Sequence, residues 1–118
     1  MPRDPRAYLY DMQQAAALAR QFTEGKTLDE YKRDVLVRSA VERQLAIVGE
    51  ALSQLLKIAP RFAERFSERR RLIAFRNRVI HGYATVDDDI VWSIVQTKLA
   101  VLFEEIEVLL RELDGTTP

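Results

Sequence analysis

Apolar residues recur along most of the chain at alternating steps of three and four, the period of a helix buried on one face. Tyr8, Met12, Ala15, Ala19 and Phe22 make the first stripe, with Asp4-Pro5 as cap and first helical position, and Gly25 as its stop. A longer pattern opens at Thr27-Leu28-Asp29-Glu30, where Thr27 and Glu30 have capping-box spacing, and runs to about Ile58 before Pro60. Its main seam is Val41, Leu45, Val48, Leu52 and Leu55. Leu36, Ala40, Ile47, Ala51 and Ile58 widen that surface beyond a narrow stripe, as expected of a helix central in a bundle or shared with a partner. Gly49 lies in mid-helix, where glycine costs about 1 kcal/mol against alanine. It is read as permitting a close helix approach.

The pattern then shortens. Pro60 to about Arg71 predicts one or two helical turns, and a further helix runs from about Leu72 to His81 with Gly82 as its stop. A last helix follows Val86-Asp87-Asp88-Asp89, whose carboxylates suit the positive end of the helix dipole. Val95, Leu99, Leu102, Ile106, Leu109 and Leu113 sustain its seam, and the segment from Gly115 to Pro118 reads as a frayed tail. The fold class expected is all-α: an up-down bundle of four main helices plus a short extra helix, one domain over residues 1–118.

Composition narrows the chemistry. Without cysteine there is no thiol or disulfide, and one histidine per chain excludes a zinc site of several imidazoles within a monomer. The polar start, the absence of a signal peptide and the short apolar runs predict a cytoplasmic protein with no membrane span. Net charge is zero, which argues against coating nucleic acid by charge alone. Yet residues 61–78 carry Arg61, Arg65, Arg69, Arg70, Arg71, Arg76 and Arg78 against Glu64 and Glu68, while residues 104–114 are acidic. The basic stretch is either a solvated arginine face or a phosphate-binding one.

The run Arg76-Asn77-Arg78-Val79-Ile80-His81-Gly82-Tyr83 concentrates the reactive side chains. On a helical wheel Leu72, Ile73, Phe75, Val79 and Ile80 form one apolar arc with Arg76 near its middle; Asn77 and His81 lie elsewhere, one turn apart. An arginine on an apolar arc needs an acceptor. It either pairs with a carboxylate, Glu50 being a candidate, or projects into a cleft to hold a phosphate bidentately. His81 either caps the helix end or does proton-transfer chemistry. Asn77 either orients that ring or is a surface amide. Tyr83 is a loop tyrosine near His81, and Trp92 is read as core. Asp87, Asp88 and Asp89 are more simply caps than metal ligands, and no phosphate-binding glycine loop or serine elbow occurs.

Arg76 and His81 with four residues between them, and polar Asn77 after the arginine, resemble the signature of the HEPN superfamily of small helical ribonucleases. The fuller run through Gly82-Tyr83, Val86-Asp87 and Val91-Trp92, with Val41-Glu42-Arg43-Gln44-Leu45 and Gly49-Glu50 upstream, is similar to its HepT-like toxin branch. That resemblance implies a metal-independent endoribonuclease without cofactor, active as a homodimer. It implies one partner of a type VII-like toxin–antitoxin pair, silenced by a minimal nucleotidyltransferase antitoxin that adds AMP to a tyrosine. By position, the catalytic pair is Arg76 and His81, Asn77 supports them, and Tyr83 is the modified residue. Arg71 and Arg78 are expected to guide the RNA backbone. Metal-free cleavage needs both a base and an acid, and a two-fold axis beside the motif would supply two copies of His81. The broad apolar face of the second helix or the outer face of the last would form the interface. The alternative is a non-catalytic nucleotide- or partner-binding subunit of a minimal nucleotidyltransferase, or a plain dimerisation module.

Overall fold

The computed structural model describes residues 3–82 and 86–115. Helix α1 spans Pro5–Thr23, capped by the Asp4 carboxylate, which accepts the Arg6 amide. A capping box between Thr27 and Glu30 opens α2 (Leu28–Arg33). The chain then kinks, and α3 spans Val35–Ile58. A 3-10 turn (Pro60–Arg65) leads to α4 (Arg69–His81). Helix α5 (Asp88–Ser93), a π turn (Ile94–Lys98) and α6 (Leu99–Leu113) form one continuous rod.

The fold is the expected all-α bundle of four main rods. Helix α3 is its centre, packed on α1 on one side and α4 on the other, while α6 closes over α1. Met12, Ala15 and Ala19 of α1, the α3 seam Val41, Leu45, Val48, Leu52 and Leu55, and Leu99, Leu102, Ile106 and Leu109 of α6 are all buried in one core. The two ends of the chain are tied by Arg6, whose guanidinium reaches Asp114 at 3.1 Å. Among the described residues, no helix is long and apolar enough to cross a membrane.

Several sequence expectations need correction. The helix predicted from residue 27 to 58 is two helices. Asp34 ends α2, its amide donating to Tyr31, and starts α3, its carboxylate accepting the Val37 amide at 3.1 Å. The kink turns Tyr31 fully inward, where its ring meets Trp92 at 5.6 Å. Trp92 itself is only partly buried against the core.

The motif helix begins at Arg69 rather than Leu72. Three arginines are unfavourable at the positive end of a helix dipole, and here neighbouring carboxylates offset two of them: Arg69 pairs with Glu64 and Arg71 with Glu68. Gly82 ends α4 as expected, and does so in an extended conformation at φ −97°. Finally, Ile80 does not complete the apolar arc, for it is 57% exposed.

The π turn was not anticipated either. It admits an extra residue, so that Ile94 and Val95, adjacent in sequence, both reach the core. The second apolar set on α3 is unevenly covered. Ala51 is buried and Ile47, Ala40 and Ile58 are half-buried, but Leu36 is exposed.

Candidate functional site at the end of α4

The site starts from a glycine. At Gly49 a Cβ would lie 2.5 Å from the carbonyl oxygen of Leu72 and 2.6 Å from the Cβ of Arg76. Only a residue without a side chain lets α3 and α4 come this close, as the sequence suggested. The stem of Arg76 is thereby laid against α3, and the next residue along that helix is Glu50. Arg76 Nε donates to Glu50 Oε2 at 2.6 Å, and Nη2 pairs with the same oxygen. Nη1 donates to Oδ1 of Asn77. The other Glu50 oxygen accepts Gln54 Nε2 at 3.0 Å. The Gln54 bond first, and the Arg76 bond and charge next, hold the Glu50 carboxyl below the usual carboxylate range.

Of the two readings of Arg76, the pairing with Glu50 is the one present. An arginine has five N–H donors; three are engaged, and among the described residues nothing engages the remaining one on each terminal nitrogen. The pair is not deeply buried, since the Arg76 side chain is 17% exposed and that of Glu50 45%.

His81 lies elsewhere on the helix. Helix α4 continues unbroken to its end, closed by the Gly82 amide on the Arg78 carbonyl at 2.8 Å. His81 lies five positions after Arg76, about 140° around the axis and roughly 7.5 Å along it. His81 falls between Asn77 and Arg78 in angle, and all three are exposed. The protomer thus brings Arg76 to Asn77, and Asn77 to the face of His81, without placing arginine and histidine on one face. Among the described residues, nothing hydrogen-bonds the His81 ring. Tyr83, the residue expected to carry AMP, lies outside the described residues.

Arg71 and Arg78 stand two turns apart on one side of α4 and line a hollow of about 410 Å³ with Phe75, Val86 and Asp87. Arg71 is paired with Glu68 at 3.2 Å, whereas among the described residues no carboxylate pairs with Arg78. Much of the basic stretch is neutralised inside the molecule. Arg65 pairs with Glu112 of the acidic helix, and the Ser67 amide and hydroxyl both donate to Glu105. The aspartates at the start of α5 have similarly plain uses. Asp87 caps the helix, Asp88 faces Arg38 at 3.7 Å and Asp89 holds Lys32 at 2.8 Å.

On the other side of α4, a groove of about 360 Å³ runs between α1, α3 and α4 past the Arg76 anchor. Ala46, Ile47, Ala51, Val79 and exposed Ile80 give it an apolar lining, which Glu50, Gln54 and the charged Arg3, Asp11 and Arg43 share. Gln54 was not foreseen. Its signal was present in the sequence, because it lies one helical turn after Glu50, where an amide can brace a carboxylate.

A helical bundle carrying arginine, asparagine and histidine on the last turns of one helix defines a protein of the HEPN class. A family model described as ribonuclease HepT-like matches residues 12–109. A candidate RNase of Methanocaldococcus jannaschii is 30% identical over 118 residues, spanning 98% of this chain and 95% of that protein. A second from the same organism is 31% identical, spanning 91% of this chain and 97% of its own length. The probable ribonuclease HepT of Thermococcus cleftensis is 28% identical over 92% of this chain and 98% of its own. No solved structure matches significantly. The chain belongs to the ribonuclease HepT-like family.

Proposed function

We propose that this protein is a metal-independent endoribonuclease whose active site is assembled from two copies of α4. One observation carries the reading. Arg76 is anchored on α3 with two donors left over, while exposed His81 ends the same unbroken helix on a different face. One protomer then presents half of a site. A two-fold axis beside α4 supplies the second histidine and the second arginine. The apolar groove beside Glu50, with exposed Ile80 at its rim, is the seat of the second copy.

The chemistry follows from the groups available. His81 of one protomer takes the proton from an RNA 2′-hydroxyl, and the 2′-oxygen attacks the adjacent phosphorus. The bond from phosphorus to the 5′-oxygen breaks, and the second His81, protonated, delivers a proton to that leaving oxygen. The free N–H groups of Arg76 receive the negative charge that builds on the non-bridging oxygens. Asn77 links the arginine to the histidine face, and Arg71 and Arg78 guide the flanking backbone. The products are a 2′,3′-cyclic phosphate and a 5′-hydroxyl.

Such an enzyme free in the cytoplasm is toxic, and its control fits a toxin–antitoxin pair. A minimal nucleotidyltransferase antitoxin transfers AMP from ATP to the Tyr83 phenol, releasing pyrophosphate. The bulky anion added two residues after His81 then excludes RNA. Purified protein should cut single-stranded RNA in EDTA and leave the cyclic phosphate; a requirement for metal, or full activity after Ile80→Glu has made the protein monomeric, overturns the composite site. Co-expression with the antitoxin should raise the intact mass by whole AMP units, and Tyr83→Phe should abolish the increase.

A further inference from the structure

We propose that Glu50 is a positioning residue of the reaction: seated beside Gly49, it aims the Arg76 guanidinium so that its two unused N–H groups face an RNA phosphate. This rests on the ribonuclease reading above and assigns a role to a residue outside the arginine–histidine motif.

Glu50 is itself immobilised. One carboxylate oxygen takes both Nε and Nη2 of Arg76, and the other takes the amide of Gln54 at 3.0 Å. Gly49 fixes where the arginine leaves α4, because nothing larger fits between its Cα and Leu72 or Arg76. Asn77 then holds the remaining side of the guanidinium through Nη1. A side chain with many rotatable bonds is thus gripped at its stem, at one edge and at one terminal nitrogen. Catalytic donors work best when they need no reorganisation as charge develops, and a misplacement of about 1 Å can cost about 10²-fold in rate.

Two other roles for Glu50 are open to test. A purely stabilising ion pair is a poor account of a carboxylate whose side chain is 45% exposed, because such pairs add little to stability. An inhibitory role, with Glu50 neutralising Arg76 until RNA displaces it, would leave no donors prepared for the phosphate. Yet among the described residues nothing engages one N–H on each terminal nitrogen.

The test uses the full chain with Glu50→Ala and Glu50→Gln. For Glu50→Ala, kcat on single-stranded RNA should fall about 10- to 100-fold, with KM changed less than about threefold and Tm by less than about 2 °C. Glu50→Gln, which keeps an acceptor oxygen, should recover part of that loss. In an Arg76→Ala background, Glu50→Ala should have no further effect, since a residue acting only through the arginine is silent without it. Faster cleavage by either variant would establish the inhibitory role, and a rate loss matched by a fall in Tm would establish the structural one; both overturn the proposal. If the wild-type protein does not cut RNA, the ribonuclease reading fails by itself. The positioning is then read from the Arg76 Nε–H resonance. It should exchange slowly in the wild type, shift on adding an uncleavable 2′-O-methyl oligonucleotide, and be lost in Glu50→Ala. A fast-exchanging resonance in the wild type overturns the inference.

Discussion

Helix α3 faces two neighbours and treats them differently. Val41, Leu45, Val48, Leu52 and Leu55 are buried in the apolar core that it shares with α1. Toward α4 it presents Gly49 and Glu50, and what it meets there is Arg76. The first seam is complete within the chain, because every group in it has what it needs. The second is left with two arginine donors that nothing among the described residues engages and an exposed isoleucine, and the same helix ends in an exposed imidazole on another face. A domain that has a sound core on one side of its central helix can carry such a seam on the other, and the incomplete side is where a substrate or second copy has something to offer.

Substitutions should separate the two seams. On the α4 side, His81→Ala should lower RNA cleavage by about 10²- to 10⁴-fold, the range for a lost proton-transfer group. Its Tm should hardly move, since the ring is exposed. On the α1 side, Leu52 is completely buried, and Leu52→Ala should cost about 2–5 kcal/mol. Thermal denaturation should show Tm about 10–20 °C lower, while cleavage per folded molecule at low temperature stays near wild type. If His81→Ala instead unfolds the protein, or Leu52→Ala abolishes activity in folded material, the division between the seams is wrong.

Gly49→Ala probes the point where packing and chemistry meet. The added methyl would lie 2.5 Å from a backbone carbonyl, which cannot rotate away, so α4 must shift. Overpacking of this kind costs about 1–3 kcal/mol. Unlike Leu52→Ala, it should also slow cleavage, because the moved helix carries both Arg76 and His81. Activity measured well below Tm checks this; a destabilised variant with undiminished activity would detach Gly49 from the site.

The same division marks what was readable from the sequence. The apolar seams of α1, α3 and α6 follow from a period of 3.6 residues, which local spacing records. So does the oddity of Arg76, an arginine where the arc calls for an apolar residue, and the separation of Arg76 from His81. The break at Asp34 was hidden because apolar spacing continues on both sides of it, and only burial of Tyr31 makes a kink worthwhile. The π turn was hidden for a related reason: Ile94 and Val95 both point inward only once α6 has docked on α1. Exposure of Ile80 is also a tertiary fact. A wheel gives its direction and says nothing about whether a neighbour is there.

Two carboxylates on α3, two turns apart, give the finest version of the comparison. Glu42 is half-buried; that burial, and next the negative charge of Asp88, raise its carboxyl above the ordinary 4.5, with Arg38 only partly opposing them. Glu50 is shifted the other way, below 4.5, chiefly by the Gln54 and Arg76 hydrogen bonds. A raised folded-state value means that Glu42 favours the fold below pH 4.5 and that this contribution is lost as pH rises through the raised value. A lowered value means that Glu50 favours the fold above pH 4.5 and loses its contribution as pH falls through the lowered one. At pH 7, then, Glu42→Gln should raise Tm by about 1–3 °C, whereas Glu50→Gln should lower it by no more than about 2 °C. Near pH 4 the gain from Glu42→Gln should shrink, because the wild-type carboxyl is by then largely neutral in both states. Melting curves of the two variants across this range decide the matter. Shifts of the same sign at pH 7 would mean that α3 does not divide a desolvated carboxyl on one stretch from a hydrogen-bonded one on the next.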